Sequence, residues 1–214
     1  MKNLKKILFA TIFISFLQIN AQETNKNDAK FGIKAGVNFS NLYTQNVDDN
    51  NVLTGFNVGV FAKLPITDFL AIQPELLYTT KGAQLTYNNY FVNGTAKFNL
   101  NYIEIPVLAV INLTNNFSIQ AGPYVSFLTN GKVTNDANVK AFDFQDEIKN
   151  DDFNRVDFGL AAGLAVDIET FSVGVRYNYG LQKVGKERSY NGNNYTFPDG
   201  KNSVISLYAA FAIN

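Results

Sequence analysis

The chain has 214 residues and contains neither histidine nor cysteine. It carries 18 basic and 18 acidic residues, so its charge gives no reason to expect a nucleic-acid partner. The missing residue types exclude a Ser-His-Asp triad, a Cys-His pair, a disulfide framework and a histidine-ligated metal site. We therefore expect no enzymatic activity and no cofactor.

The first predicted element is a secretion signal at residues 1–21. An apolar stretch at residues 7–17 follows three lysines and precedes Ala21. A basic start, a short apolar middle and a small residue at the cut are typical of a cleavable signal peptide. With no cysteine to acylate, a lipoprotein is excluded. Residues 22–30 are polar and predict a short lead-in to one domain at 31–214.

Eight runs of alternating apolar and polar residues then follow, and each predicts a β-strand. They begin near Phe31, Thr54, Leu70, Phe98, Phe117, Asn154, Phe171 and Ser203. The predicted connections alternate in length, with long ones at 40–53, 81–97, 129–153 and 181–202 and short ones of sequence PITD, LTNN and ET. Long loops on one rim and tight turns on the other predict a membrane barrel whose four loops face the exterior.

The polarity of the alternation favours a membrane barrel over a soluble lipocalin-like barrel. In the sixth run one face reads Val156, Phe158, Leu160, Ala162, Leu164, Val166 and Ile168. The other face reads Arg155, Asp157, Gly159, Ala161, Gly163, Ala165 and Asp167. The second face has no large apolar residue with which to fill a soluble core, so the apolar face must point outward to lipid.

Two sets of residues refine this prediction. Phe31, Phe69, Phe117 and Phe171 stand at or just before the first residue of an upward strand, where an interfacial aromatic girdle belongs, although Phe also favours strands in general. Pro74, Pro106 and Pro123 fall inside three strands of a closed barrel, which has no edge to accommodate a missing N–H. We expect a β-bulge at each proline.

Several segments carry a family resemblance. They are FGIKAGVNFSNL, QPELLYTTKG, NYIEIPVLAV, AGPYVSFL and VGVRYNYG, in the first, third, fourth, fifth and seventh predicted strands. They resemble the outer-membrane β-barrel family that includes PorT-like proteins. The resemblance implies an eight-stranded antiparallel up-and-down transmembrane β-barrel in the outer membrane of a Gram-negative cell. It implies little about activity, because the PorT-like role in a secretion and gliding machinery belongs to a subset of the family.

Four charged residues fall on the predicted inward face at about mid-height, namely Lys34, Glu75, Glu104 and Arg176. One hypothesis is a proton or ion path through the lumen. The other, which we favour, is a structural salt-bridge network that fills the interior, because an isolated charge in a narrow lumen must find a partner.

The predicted third and fourth loops hold the other candidate residues. The third contains Asp143 and Asp146 in an acidic run, whose order does not match a known calcium loop, so a solvated face is favoured over a metal site. The fourth contains Lys183, Lys186 and Arg188 beside aromatic residues. These cations suit lipopolysaccharide phosphates, the acidic third loop or an envelope protein partner.

These observations predict a small, monomeric outer-membrane protein with a structural or interaction role through its exterior loops. The alternatives are an accessory component of a secretion machinery and a narrow pore for small solutes. A wide porin is excluded, because open aqueous channels need about sixteen strands. A glycosidase with two carboxylates is formally open, but it would need a sugar-sized cleft, and we expect an eight-stranded barrel to be filled by its own side chains.

Overall fold

The computed structural model describes residues 29–43, 50–88, 93–137, 144–147, 153–190, 193–196 and 200–213. The predicted signal peptide and most of the lead-in lie outside these residues. Within the described part of the chain, no helix has the length and apolar character needed to cross a membrane.

Eight long strands form one closed antiparallel barrel. They are β1 (Lys30–Tyr43), β3 (Leu53–Pro65), β4 (Leu70–Asn88), β5 (Asn93–Asn112), β6 (Phe117–Ala137), β8 (Val156–Ile168), β9 (Phe171–Lys183) and β12 (Lys201–Ile213). Each pairs with the next along the chain, and β1 pairs with β12 from Phe31 opposite Ile213 to Tyr43 opposite Lys201. This closure confirms the predicted eight-stranded up-and-down barrel.

Four short strands lie outside the eight. They are β2 (Asn50–Asn51), β7 (Phe144–Glu147), β10 (Glu187–Tyr190) and β11 (Asn193–Thr196). β2 pairs with β4, β7 pairs with β6, and β10 and β11 pair with each other. All four lie in the long connections, so the rim that carries these connections has its own β-structure.

The alternation of the strands places apolar side chains on the outside. In β8 the exposed positions are those of the apolar set from Val156 to Ile168, while Asp157, Gly159, Ala161 and Ala165 are buried. An exposed apolar face on every barrel strand is the pattern that lipid stabilises. Arg155 departs from the prediction, because it precedes β8 and is exposed rather than inward-facing.

The short connections fall where the sequence predicts them, at residues 66–69, 113–116 and 169–170. Glu169 has a φ of 56°, as expected for a residue of a two-residue hairpin turn. The four phenylalanines of the predicted girdle lie at this turn rim, and Phe69 and Phe171 are exposed.

The prediction of a long second loop was wrong. β4 and β5 remain paired as far as Asn88 and Asn93, which leaves a connection of residues 89–92, and β6 continues to Ala137. These extensions carry many polar residues, since strands that rise beyond the lipid no longer need an apolar face. Without that alternation the sequence pattern could not identify them as strands.

The expected bulges at the prolines were also wrong. The β4–β5 register is the same before and after the prolines, with Pro74 opposite Val107 and Leu77 opposite Glu104. The β6–β8 register is likewise constant, with Pro123 opposite Leu160. Pairing is instead interrupted beside the prolines, after Pro74 in the β4–β5 pair and between Pro106 and Ala109 in the β5–β6 pair, where Pro123 also has no partner on β5. The barrel therefore accommodates the missing N–H groups without an inserted residue. The register shifts lie elsewhere, between Asn101 and Tyr102 in the β5–β6 pair and between Lys201 and Ser203 in the β9–β12 pair.

Candidate functional site

The first feature of the lumen is a group of buried ions on the turn side of the barrel, the turn-side cluster of Lys34, Glu75 and Arg176. Glu75 accepts two hydrogen bonds from the Arg176 guanidinium, at 2.7 Å from Nη1 to Oε2 and 2.8 Å from Nη2 to Oε1. Lys34 Nζ lies 3.1 and 3.2 Å from the same two oxygens. All three side chains are buried. One carboxylate therefore pairs with two basic side chains, and by formal charge the cluster keeps one positive charge.

Three neutral side chains surround this cluster. Gln73 Nε2 donates to Glu75 Oε1 at 2.7 Å. Gln120 Oε1 accepts from Arg176 Nη2 at 2.8 Å and from the Tyr208 hydroxyl at 3.1 Å. The Tyr208 ring also lies beneath the ammonium of Lys34, with Nζ 3.6 Å from the ring centroid. This cation–π contact and the bonds to the amides stabilise the excess positive charge.

A second group of ions, the loop-side cluster of Lys81, Glu104 and Asp157, lies farther from the turns. Lys81 Nζ lies 2.6 Å from Glu104 Oε2 and 3.1 Å from Asp157 Oδ2. Ser126 donates to Glu104 at 3.0 Å and accepts from Lys81 at 3.1 Å. All these groups are buried. Two carboxylates face one ammonium, so this cluster keeps one negative charge and complements the turn-side cluster.

On the loop side of this cluster lies a buried apolar group, the apolar cap. Its members are Leu42, Ala83, Phe98, Leu100, Tyr102, Phe153 and Val184. Phe153 and Val184 come from two different long connections. Those connections are joined by a β-bridge between Phe153 and Gly185 and by bonds from Asn154 Nδ2 to the carbonyls of Lys183 (2.9 Å) and Gly185 (3.1 Å).

The turn end of the lumen is open, so the expectation that side chains fill the whole barrel was wrong at this end. A cavity of about 850 Å³, the turn-side vestibule, begins at the turn rim and ends at Gln73, Gln120 and Tyr208. At its rim Lys63 Nζ lies 3.3 Å from Asp167 Oδ2. The lumen is therefore a polar vestibule, two layers of ions and an apolar cap in sequence along the barrel axis.

The four predicted interior residues all lie inside the barrel, but not in one network. Lys34, Glu75 and Arg176 meet, whereas Glu104 belongs to the loop-side cluster and contacts Lys81 and Asn178. The sequence predicts Lys81 at the start of a loop, because the apolar alternation fades at that point. Lys81 lies in β4, five residues after outward-facing Leu76, and this odd spacing puts it on the inward face. Continuing the alternation of the strand would therefore have placed Lys81 in the lumen. In the described part of the chain, no group of three or more acidic side chains could hold a metal ion.

Four of the five exterior candidates lie among the described residues. Lys183 and Lys186 are exposed at the loop rim. Asp146 lies on β7 opposite Val133, and Arg188 lies on β10 opposite Tyr195. Asp143 lies outside the described residues. Whether any of them binds a partner stays a prediction.

A closed antiparallel barrel with an apolar outer face and a polar lumen defines the class of outer-membrane β-barrel proteins. The family model of the outer membrane protein beta-barrel domain matches residues 20–185. The chain belongs to that family, and the protein is located in the outer membrane. No curated protein matches it in sequence.

Solved structures with the same fold share little sequence with the chain. Neisserial surface protein A is 14% identical, with 87% of this chain and 99% of that one covered and a TM-score of 0.51. Ail of Yersinia pestis, solved with the heparin analogue sucrose octasulfate, is 14% identical over the same shares, with a TM-score of 0.48. OprG from Pseudomonas aeruginosa is 14% identical over 86% and 91%, with a TM-score of 0.39. At such identities the likeness shows the fold alone.

Proposed function

We propose that the protein is a non-enzymatic outer-membrane barrel that acts through contacts of its exterior connections and conducts no solute. The observation that carries this proposal is the double closure of the lumen. Lys34, Glu75 and Arg176 fill the lumen on the turn side, and the apolar cap covers it on the loop side. A solute would have to break buried ion pairs and then cross an apolar layer, and both steps are costly.

The structure of the loop rim also supports a binding role. The bridge between Phe153 and Gly185 joins two long connections, and a surface with fixed connections loses less conformational entropy on binding. Exposed Lys183 and Lys186 next to this bridge suit an anionic partner, either a lipopolysaccharide phosphate or an acidic face of an envelope protein.

Planar-bilayer recordings test the closed lumen. We expect the purified protein to insert without measurable conductance, and a reproducible single-channel current would instead support the narrow pore. The double variant Arg176→Ala with Phe153→Ala is the matched positive control, because it removes one large side chain from each of the two closing layers.

Site-specific photo-crosslinking tests the binding role in cells. A photoreactive residue at position 186, on the loop rim, should capture lipopolysaccharide or one specific envelope protein. The same residue at position 115, in a tight turn, is the control. Equal capture from both positions would contradict a role of the exterior rim.

An accessory role in a secretion machinery is the second candidate, which is allowed by the resemblance of segments such as NYIEIPVLAV to the family that includes PorT-like proteins. In a Gram-negative host, deletion of the gene should then reduce the proteins released into the medium. Normal secretion by the deletion strain would remove this candidate and leave the exterior binding role in place.

A further inference from the structure

The turn-side vestibule is a cup, because its inner end is closed by the turn-side cluster. Its lining includes Phe61, Lys63, Gln73, Gln120, Asp167 and Tyr208. The volume of about 850 Å³ lies within the range of small-molecule sites, roughly 300–1,000 Å³. The tight turns of such barrels face the periplasm, so the cup opens in that direction.

Two amide groups at the floor of the cup have unused hydrogen-bonding atoms. Gln73 must direct Nε2 to the carboxylate of Glu75, and this leaves its Oε1 without a partner among the described residues. Gln120 must direct Oε1 to Arg176 and Tyr208, and this leaves its Nε2 without one. The reverse orientation of either amide would place like partial charges together. Both side chains are buried, at 6% and 5% exposure, yet both line the cup.

The walls restrict the ligand class. Phe61 and Tyr208 offer aromatic surface. The lining carries two lysines, Lys30 and Lys63, and three acidic residues, Asp68, Asp167 and Glu169, so its formal charges nearly balance. Lys63 pairs with Asp167, which also accepts from Ser172 at 2.6 Å. The ions of the turn-side cluster do not line the cup, so a ligand at the floor meets the neutral side chains of Gln73, Gln120 and Tyr208. Hydroxyl groups, which both donate and accept, match one unused amide oxygen and one unused amide N–H.

We propose that the turn-side vestibule binds a neutral, hydroxyl-rich small molecule of sugar chemistry, of monosaccharide to disaccharide size, from the periplasmic side. Gln73 Oε1 accepts from one ligand hydroxyl, and Gln120 Nε2 donates to another. The apolar C–H face of the sugar packs on Phe61 or Tyr208. This site is separate from the exterior surface, and it does not depend on the role assigned to that surface.

Saturation-transfer NMR on the full chain tests the site. The protein is placed in phosphocholine nanodiscs, because detergents with sugar headgroups would compete. The soluble probes are glucose, N-acetylglucosamine, maltose and the tripeptide Gly-Gly-Gly. We expect transfer to at least one sugar and none to the tripeptide.

The decisive variant is Gln73→Met. It removes the acceptor that faces the cup, while Glu75 keeps its contacts with Arg176 and Lys34. Sugar affinity should fall roughly three- to tenfold for the loss of one hydrogen bond. The matched control is Gln182→Met, at the loop-side end of β9, which should leave affinity unchanged. Heat-dependent mobility on SDS gels checks that both variants fold.

Three outcomes would overturn the proposal. They are the absence of transfer to every sugar, equal effects of the two variants, and transfer to the tripeptide instead, which would assign the cup to a peptide partner.

Discussion

Glu75 is the residue on which the turn-side cluster depends, because it is the single anion between two cations. Loss of Arg176 would leave Lys34 and Glu75 as a neutral pair at 3.1 Å. Loss of the carboxylate would leave two buried cations with no anion in contact. The two substitutions therefore differ in consequence, although they break the same ion pair.

We expect Glu75→Gln to lower the free energy of unfolding by roughly 3–5 kcal/mol, the range for a buried charge without its partner. Arg176→Leu should cost less, about 1–3 kcal/mol, because charge-assisted hydrogen bonds are lost but charge balance is kept. Adding Lys34→Met to Glu75→Gln should recover part of the loss. Urea unfolding in detergent micelles measures all three. An equal or larger cost for Arg176→Leu would contradict this account of the cluster.

In the loop-side cluster the dependence is reversed, since Lys81 is the single cation between two anions. Lys81→Met should destabilise the barrel by roughly 3–5 kcal/mol, because Glu104 and Asp157 would remain buried and repel each other. Glu104→Gln in the same background should restore part of the stability, since the amide can still accept from Asn178. The same addition in the Arg176→Leu background should restore nothing. Rescue of the Arg176→Leu variant would mean that Glu104 interacts with the turn-side cluster.

The sequence predicts inward residues well and their partners poorly. The phase of the apolar alternation puts Lys34, Glu75, Glu104 and Arg176 in the lumen, where the structure has them. The partners of a side chain depend also on the register between strands, because a slip of one residue changes every contact between the two strands. The apolar alternation does not specify that register, and the structure fixes it, for example with Leu77 opposite Glu104.

At the scale of the strands, lipid determines what the sequence reveals. Within the bilayer each strand needs an apolar outer face, so the alternation marks β8 and β9 from end to end. Beyond the bilayer the outer face no longer contacts lipid, and the extensions of β4, β5 and β6 carry many polar residues. The pattern therefore predicts the membrane-spanning part of the fold and misses the extensions.

The lipid-facing side of β9 gives a direct test of this division. Val173 is 41% exposed on the outer face, so Val173→Arg places a charge in lipid and should cost roughly 2–4 kcal/mol. The matched control is Leu113→Arg in a tight turn, at 54% exposure, where the charge reaches water and the cost should stay below about 1 kcal/mol. Equal costs in a denaturation series would mean that β9 does not face the hydrocarbon.

At the scale of the whole molecule, the two ends of the barrel differ in kind. At the loop end lie the apolar cap and the bridge from Phe153 to Gly185. The turn end is an open cup with polar walls. Two layers of ions of opposite formal charge separate them, so the barrel presents different surfaces to the two sides of the membrane.

This assignment of sides makes a test with single cysteines possible, because the natural chain contains none. Lys186→Cys at the loop rim and Asn115→Cys in a tight turn are both at exposed positions. In intact cells a membrane-impermeant maleimide should label position 186 and leave position 115 unlabelled, because the tight turns of such barrels face the periplasm. After the outer membrane is permeabilised, both positions should react, which shows that each thiol is accessible. Labelling of position 115 alone in intact cells would mean that the barrel has the inverted orientation and that the cup opens to the exterior.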